Sequence, residues 1–227
     1  MNLKRKGAVS RLFTPSDLDR ISSAVQEAEK KTSGEIVPYV VDRCDVYEEA
    51  EWRAGVLLGV CVLIVYATLE RFSPSWLPPT VVDVALLMMV AAIAGGLLTR
   101  FVPACKRLFA GNHAMNRRVH QRAAEAFISE EVFKTRDRTG ILIFLSLLER
   151  KVLVVGDSGI NAKVKQSDWD GIVDLIVTAI RAKKPADGLV AAIAKCGSLL
   201  ETEGVAIRRD DTDELPDNLR IGSSPKL

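Results

Sequence analysis

The chain has 227 residues, with 31 Lys and Arg against 29 Asp and Glu, a formal net charge of +2. So even a balance gives no global basic bias of the kind that marks a nucleic-acid binder. The 2 histidines and 4 cysteines include no CxxC pair and no His-rich cluster, which leaves free reduced thiols as the expectation for Cys44, Cys61, Cys105 and Cys196.

Residues 1–13 are basic and weakly patterned. They lead into an acidic, polar segment and not into an apolar core with a cleavage site, so no signal peptide is expected. Thr14-Pro15-Ser16-Asp17 reads as a helix start, with Thr14 as N-cap and Asp17 reaching back to it. Leu18, Ile21, Val25 and Ala28 then recur at spacings of about 3 and 4, one apolar stripe on a charged helix. Gly34 is the expected left-handed stop. Residues 35–41 (EIVPYVV) read as a strand, and Pro38 predicts an edge or bulged position for it.

Two apolar runs follow, 54–69 (AGVLLGVCVLIVYATL) and 84–99 (VALLMMVAAIAGGLLT), joined by ERFSPSWLPPTVVD. Each spans only roughly 24 Å as a helix, short of a ~30 Å hydrocarbon core. Trp52, Tyr66, Trp76 and Phe101 sit at their ends, and Phe72, Trp76 and Leu77 let the connector dip toward the headgroups. Because both runs are apolar on every face, the expectation is a transmembrane helical hairpin over 54–102; the alternative is a buried hairpin of a soluble protein.

Lys4, Arg5, Lys6, Arg11, Arg43 and Arg53 precede the hairpin, and Arg100, Lys106, Arg107, Arg117 and Arg118 follow it. The connector holds Arg71 alone, beside Glu70. That asymmetry predicts both termini on the cytoplasmic side. It also makes membrane lipid the first partner, since the flanking cations can meet anionic headgroups.

Beyond the hairpin, 112–131 is a basic helix with Val119, Ala123, Ala126 and Phe127 on one face. Residues 134–140 form a loop. Two apolar runs, 141–148 (ILIFLSLL) and 151–155 (KVLVV), suit strands covered on both faces and joined at Glu149-Arg150. Gly156-Asp157-Ser158-Gly159 turns the chain out of the sheet. Ser167–Asp170 is a capping-box start for a helix whose stripe is Trp169, Ile172, Val173, Ile176 and Ile180. It stops at Lys183-Lys184-Pro185. Residues 187–200 form a last helix with Leu189, Ile193 and Leu200 inward. From 205 on, charge, Asp, Pro and Ser predict a disordered tail.

The order is therefore α, β, apolar hairpin, α, β-hairpin, α, α, a three-layer α/β/α arrangement. Its first part is 14–53, its second 103–204, and the strand at 35–41 must return to join strands about 100 residues later.

Asp137 precedes the first strand of the β-hairpin and Asp157 follows the second, so both carboxylates fall at one sheet edge. With Asn161 and a backbone carbonyl they could hold a cation; the alternative is that each is an ordinary turn residue. Arg136 and Arg138 could contact phosphate or simply be solvated. Ser158 has no base in reach by sequence, and His113 and His120, seven apart on one helix, face the lipid surface rather than a metal.

The segments TSGEIVPYVV, RDRTG, ILIFLSLLERKVLVVGDSGI and KPADGLVAAI together resemble the TPM domain family, the thylakoid acid phosphatase-like proteins. The resemblance implies an α/β/α TPM-like sandwich. It implies a divalent cation, Ca²⁺ or Mg²⁺, in some members, a phosphatase-type hydrolase activity in a few, and an interaction or assembly role in others. Some bacterial members resemble this chain in sitting near the membrane beside LemA-type proteins, which makes a bacterial inner membrane the expected location and a LemA-type protein a partner. Asp137 matches the family's acidic residue before the Gly-then-strand step, and Gly140 and Gly159 match its turn glycines. Val155 and Asn161 stand where relatives often carry Glu, which weakens a hard-cation site. The expectation is an integral membrane protein acting as an interaction module, with a metal-dependent phosphatase as the alternative.

Overall fold

A computed structural model describes residues 9–72, 80–205, 214–223 and 225. The connector residues Trp76 and Leu77, the basic Lys4–Lys6 and tail residues 206–213 lie outside them. The described elements are α1 (Val9–Leu12), α2 (Pro15–Glu29), β1 (Ile36–Val41), α3 (Glu48–Phe72), α4 (Val81–Phe101), α5 (Pro103–Ala110) and α6 (Asn112–Ser129). After a 3₁₀ turn at Val132–Lys134 come β2 (Ile141–Ser146), β3 (Lys151–Gly156), α7 (Ser158–Asn161), α8 (Gln166–Arg181), α9 (Pro185–Thr202) and β4 (Arg220–Ile221).

The chain divides into two compact units, one of Met1–Cys44 with Arg118–Lys226 and one of Asp45–Arg117. The first is a mixed α/β unit with a single described sheet in the order β3-β2-β1-β4. β1 pairs with β2 in parallel, Ile36 opposite Ile141, which closes the long return that the sequence requires. β2 and β3 are antiparallel.

Side chains alternate across this sheet. Ile36, Val40, Ile141, Ile143 and Leu145 join Ile21 and Val25 of α2, Trp169, Ile172 and Ile176 of α8, and Leu189 and Ile193 of α9. Val37, Tyr39, Val41, Leu142 and Phe144 join Val119, Ala123 and Ala126 of α6. The helical stripes read from the sequence are thus the buried ones. The α2 cap also forms as expected: Thr14 Oγ1 accepts from Asp17 N at 3.2 Å, and Asp17 Oδ2 accepts from Thr14 N at 2.9 Å.

Several expectations are corrected. β1 is not an edge strand, because β4 lies on its outer side. Pro38 is tolerated since Glu35 O and Val41 O accept from the β2 side, at Ile141 N and Leu147 N. The odd residues of β1 therefore bond β2 and Pro38 faces away, where β4 pairs only with Tyr39 and Val40. β4 itself comes from the tail expected to be disordered: Gly222 N donates to Val40 O at 2.9 Å and Arg220 pairs with Glu130 at 2.8 Å.

Gly34 is not a left-handed stop. α2 ends at Glu29, and a Cβ at Gly34 would lie 2.8 Å from Leu200 Cδ1, so close packing explains the glycine. α8 begins at Gln166 with Lys165 as N-cap, so Ser167 does not cap it. The β2–β3 connection has four residues and not two: Leu147 N and Leu148 N continue the ladder to β1, donating to Val41 O and Asp42 O.

In the second unit α3 and α4 run antiparallel with close backbones. A Cβ on Gly55 would stand 2.8 Å from Ala92 O, and one on Gly95 2.8 Å from Ala54 O. Gly55 and Gly59 make a GxxxG step, the small-residue spacing that lets apolar helices approach. A second capping box, Thr80 with Asp83, starts α4 ahead of its apolar run. The helices reach 25 and 21 residues, or ~37 and ~31 Å.

Candidate functional site

The candidate edge lies where β2 begins and β3 ends. Gly140 O accepts from Asp157 N at 2.8 Å, and Arg138 O accepts from Gly159 N at 2.9 Å. These bonds tie the 137–140 loop to the start of α7. Asp157 caps that short helix, its Oδ1 accepting from Ser158 N at 2.6 Å. The capping follows from local chemistry, since Asp in extended backbone before a helical turn satisfies an orphan N–H.

Asp157 is 5% exposed, and its Oδ2 stands 2.9 Å from Arg138 Nε. Oδ2 has no directed hydrogen bond among the described residues, so the contact is an ion pair without good alignment. Arg138 holds its position at φ 56, in the left-handed region, with its guanidinium 5.9 Å from the Phe133 ring centroid. The sequence left Arg138 to phosphate or to solvent; the structure places it on Asp157.

Asp137 is exposed on the same loop, and its carbonyl oxygen lies against Gly159. Asn161 is exposed, and its N–H donates to Asp157 O at 2.8 Å. The fold thus brings Asp137, Asp157 and Asn161 to one place through backbone contacts. Among the described residues, no group of three His, Cys, Asp or Glu is arranged to hold a metal. Arg136 N donates to Glu214 Oε2 at 3.2 Å, and Ser158 begins α7. His113 and His120 are both exposed on α6.

Removing the guanidinium leaves a buried carboxylate without a counter-charge. Arg138→Ala is therefore expected to cost about 1–3 kcal/mol in chemical denaturation. Adding Asp157→Asn to that variant should recover part of the loss, as a neutral amide can still cap Ser158 N. No recovery in the double variant would show that the ion pair is not what the loop depends on.

Two buried acids escaped the sequence reading. Glu35, 6% exposed at the start of β1, accepts from Glu214 N at 3.2 Å. Glu149, read as a turn residue, is 4% exposed at the opposite sheet end, accepting from Cys44 N at 2.9 Å and from the Ser146 hydroxyl. Cys44 Sγ in turn donates to Ser146 Oγ at 3.3 Å. No local pattern marks their burial, since the backbone N–H groups they accept from, at Glu214 and Cys44, lie far along the chain. None of the four cysteines is in a disulfide, and burial pushes the Cys196 thiol up to about 12.

Comparison with known proteins gives a domain match over part of the chain and a likeness of fold. The TPM domain matches residues 112–199, from the start of α6 into α9. No curated protein matches the chain. A similar solved structure is the NMR structure of BA42 protein from the psychrophilic bacterium Bizionia argentinensis. It is 20% identical with a TM-score of 0.56, covering 92% of this chain and 95% of that one, which speaks for the fold alone. α2, which packs on the sheet, and β1, which lies in it between β2 and β4, precede the matched stretch. Over residues 112–199, then, the chain is similar to the TPM domain.

Proposed function

We propose that this is a membrane-anchored TPM-domain protein, a three-layer α/β/α sandwich interrupted by a transmembrane hairpin. It acts as an interaction or assembly module at the cytoplasmic face of a bacterial inner membrane, with both termini cytoplasmic. The observation that carries the reading is the outward face of α3 and α4. Val56, Leu57, Ile64, Val65, Leu86, Leu87, Val90 and Ile93 are all at least half exposed, on helices long enough to cross a ~30 Å core. Such a surface in water would be far larger than a soluble monomer tolerates.

Orientation rests on Arg43, Arg53, Arg100, Arg117 and Arg118 near one end of the hairpin against Arg71 at the other. Lys106, counted among these cations by sequence, is buried on Glu51 and does not contribute. Impermeant maleimide applied to intact cells should label a cysteine introduced in 73–79 and not one in 214–223. Labelling of the tail would overturn the orientation.

Between module and hydrolase, the engagement of Asp157 by Arg138 and Ser158 N favours the module. A melting temperature raised by millimolar Ca²⁺ or Mg²⁺, and no longer raised in Asp137→Asn, would favour the phosphatase-type alternative. The LemA-type partner that the resemblance implies is tested by co-purification of the intact chain in detergent.

A further inference from the structure

α5 is amphipathic in the reverse of the usual sense. Its inward face carries Lys106 and Ala110, both buried, and its outward face Ala104 and Leu108, both exposed. Lys106 is 5% exposed while Leu108 is 75% exposed. A surface helix in water puts its lysine out and its leucine in. Here Lys106 Nζ donates to Glu51 Oε1 and to Val46 O, each at 3.0 Å, so the charge is neutralised inside the protein.

The register of these bonds fixes where α5 lies. Lys106 meets Val46 and Glu51, and three residues later Phe109 O accepts from Arg53 Nη1 at 3.1 Å. Were α5 to continue the line of α4, Phe109 would fall beyond the start of α3. Instead both contacts land on 46–53, so α5 crosses the end of the hairpin at the level of its first turns. The extended residue Val102, φ −105 and ψ 106, makes the break between α4 and α5. At that same level Trp52 and Phe101 are 77% and 74% exposed. Arg53 and the exposed Arg100 flank them.

We propose that α5 is an interfacial helix, lying in the phospholipid headgroup layer with Ala104 and Leu108 toward the acyl chains. Trp52, Phe101 and Leu108 then form one belt at the boundary, and Arg53 and Arg100 meet lipid phosphates. Aromatic residues and amphipathic helices occupy this layer because one side there is apolar and the other wet. The inference rests on the hairpin crossing the membrane and adds to it a third contact and the depth at which the bilayer surface passes.

The test uses the full chain in phosphatidylcholine–phosphatidylglycerol vesicles. With Cys61→Ala and Cys105→Ala as background, the buried Cys44 and Cys196 stay unlabelled under native conditions, which is checked first. An environment-sensitive fluorophore is attached at Leu108→Cys, at Met89→Cys inside α4, or at Thr178→Cys on α8. Lipids brominated near the headgroup or near the chain ends serve as quenchers. Expected is a blue-shifted Leu108 probe that loses emission to shallow bromines, a Met89 probe that loses it to deep ones, and a Thr178 probe that loses none. If Met89 is quenched and Leu108 behaves like Thr178, the interfacial helix is wrong and the hairpin stands. If neither is quenched, both fall.

Discussion

Residues 103–227 expressed alone should show no cooperative unfolding transition, while a chain with 54–101 replaced by a short flexible linker should unfold cooperatively in solution. The reason is the position of β1, which lies between β2 and β4 and is buried at all six residues. Losing its five apolar side chains at about 1.5–3 kcal/mol each removes roughly 8–15 kcal/mol. That matches the whole stability of an ordinary domain, about 5–15 kcal/mol. It also strips Ile21 and Val25 of α2 from the core they share with Ile141 and Ile143. Circular dichroism melts of the two proteins check this. A sharp melt of the 103–227 fragment, equal to that of the linker protein, would mean that the first strand is an accessory.

Gly159→Ala should be strongly damaging near the candidate site, at about 3 kcal/mol or more. A Cβ there would stand 2.3 Å from Asp137 O and 2.7 Å from Arg138 O. Both are backbone atoms, held by the bonds from Gly159 N to Arg138 O and from Asp157 N to Gly140 O, so neither can swing aside as a side chain would. Gly159 lies in a helical turn without positive φ, so backbone strain is no part of the effect. Gly171→Ala is the matched control. It sits in α8 with nothing within 4 Å of the added carbon, and gains roughly 0.5–1 kcal/mol from the lower entropy of the unfolded chain. Urea midpoints of the linker protein measure both. A neutral Gly159→Ala would show that the loop yields, and would remove the steric account of Gly159.

Much of this architecture is set within short stretches. The Thr14–Asp17 cap, the α2, α6 and α8 stripes and the buried β2 strand each depend on neighbours within a few residues, so pattern alone reveals them. The two long apolar helices are equally plain, and even their GxxxG step is present in the sequence. What required tertiary structure was the destination of single polar groups. Asp157 and Asp137 look alike as turn residues; the fold buries one on Arg138 and leaves the other exposed. Glu149 reads as a hairpin turn until Cys44, 105 residues earlier, brings its N–H to the carboxylate. Lys106 reads as a lipid-facing cation until α5 turns it onto Glu51, 55 residues away. The tail reads as disordered from its charge and its Asp, Pro and Ser; pairing with Tyr39 and Val40 makes Arg220 and Ile221 a strand. Periodicity reports which face of an element is apolar. The partner of one buried charge depends on where distant backbone arrives, and no local pattern encodes that.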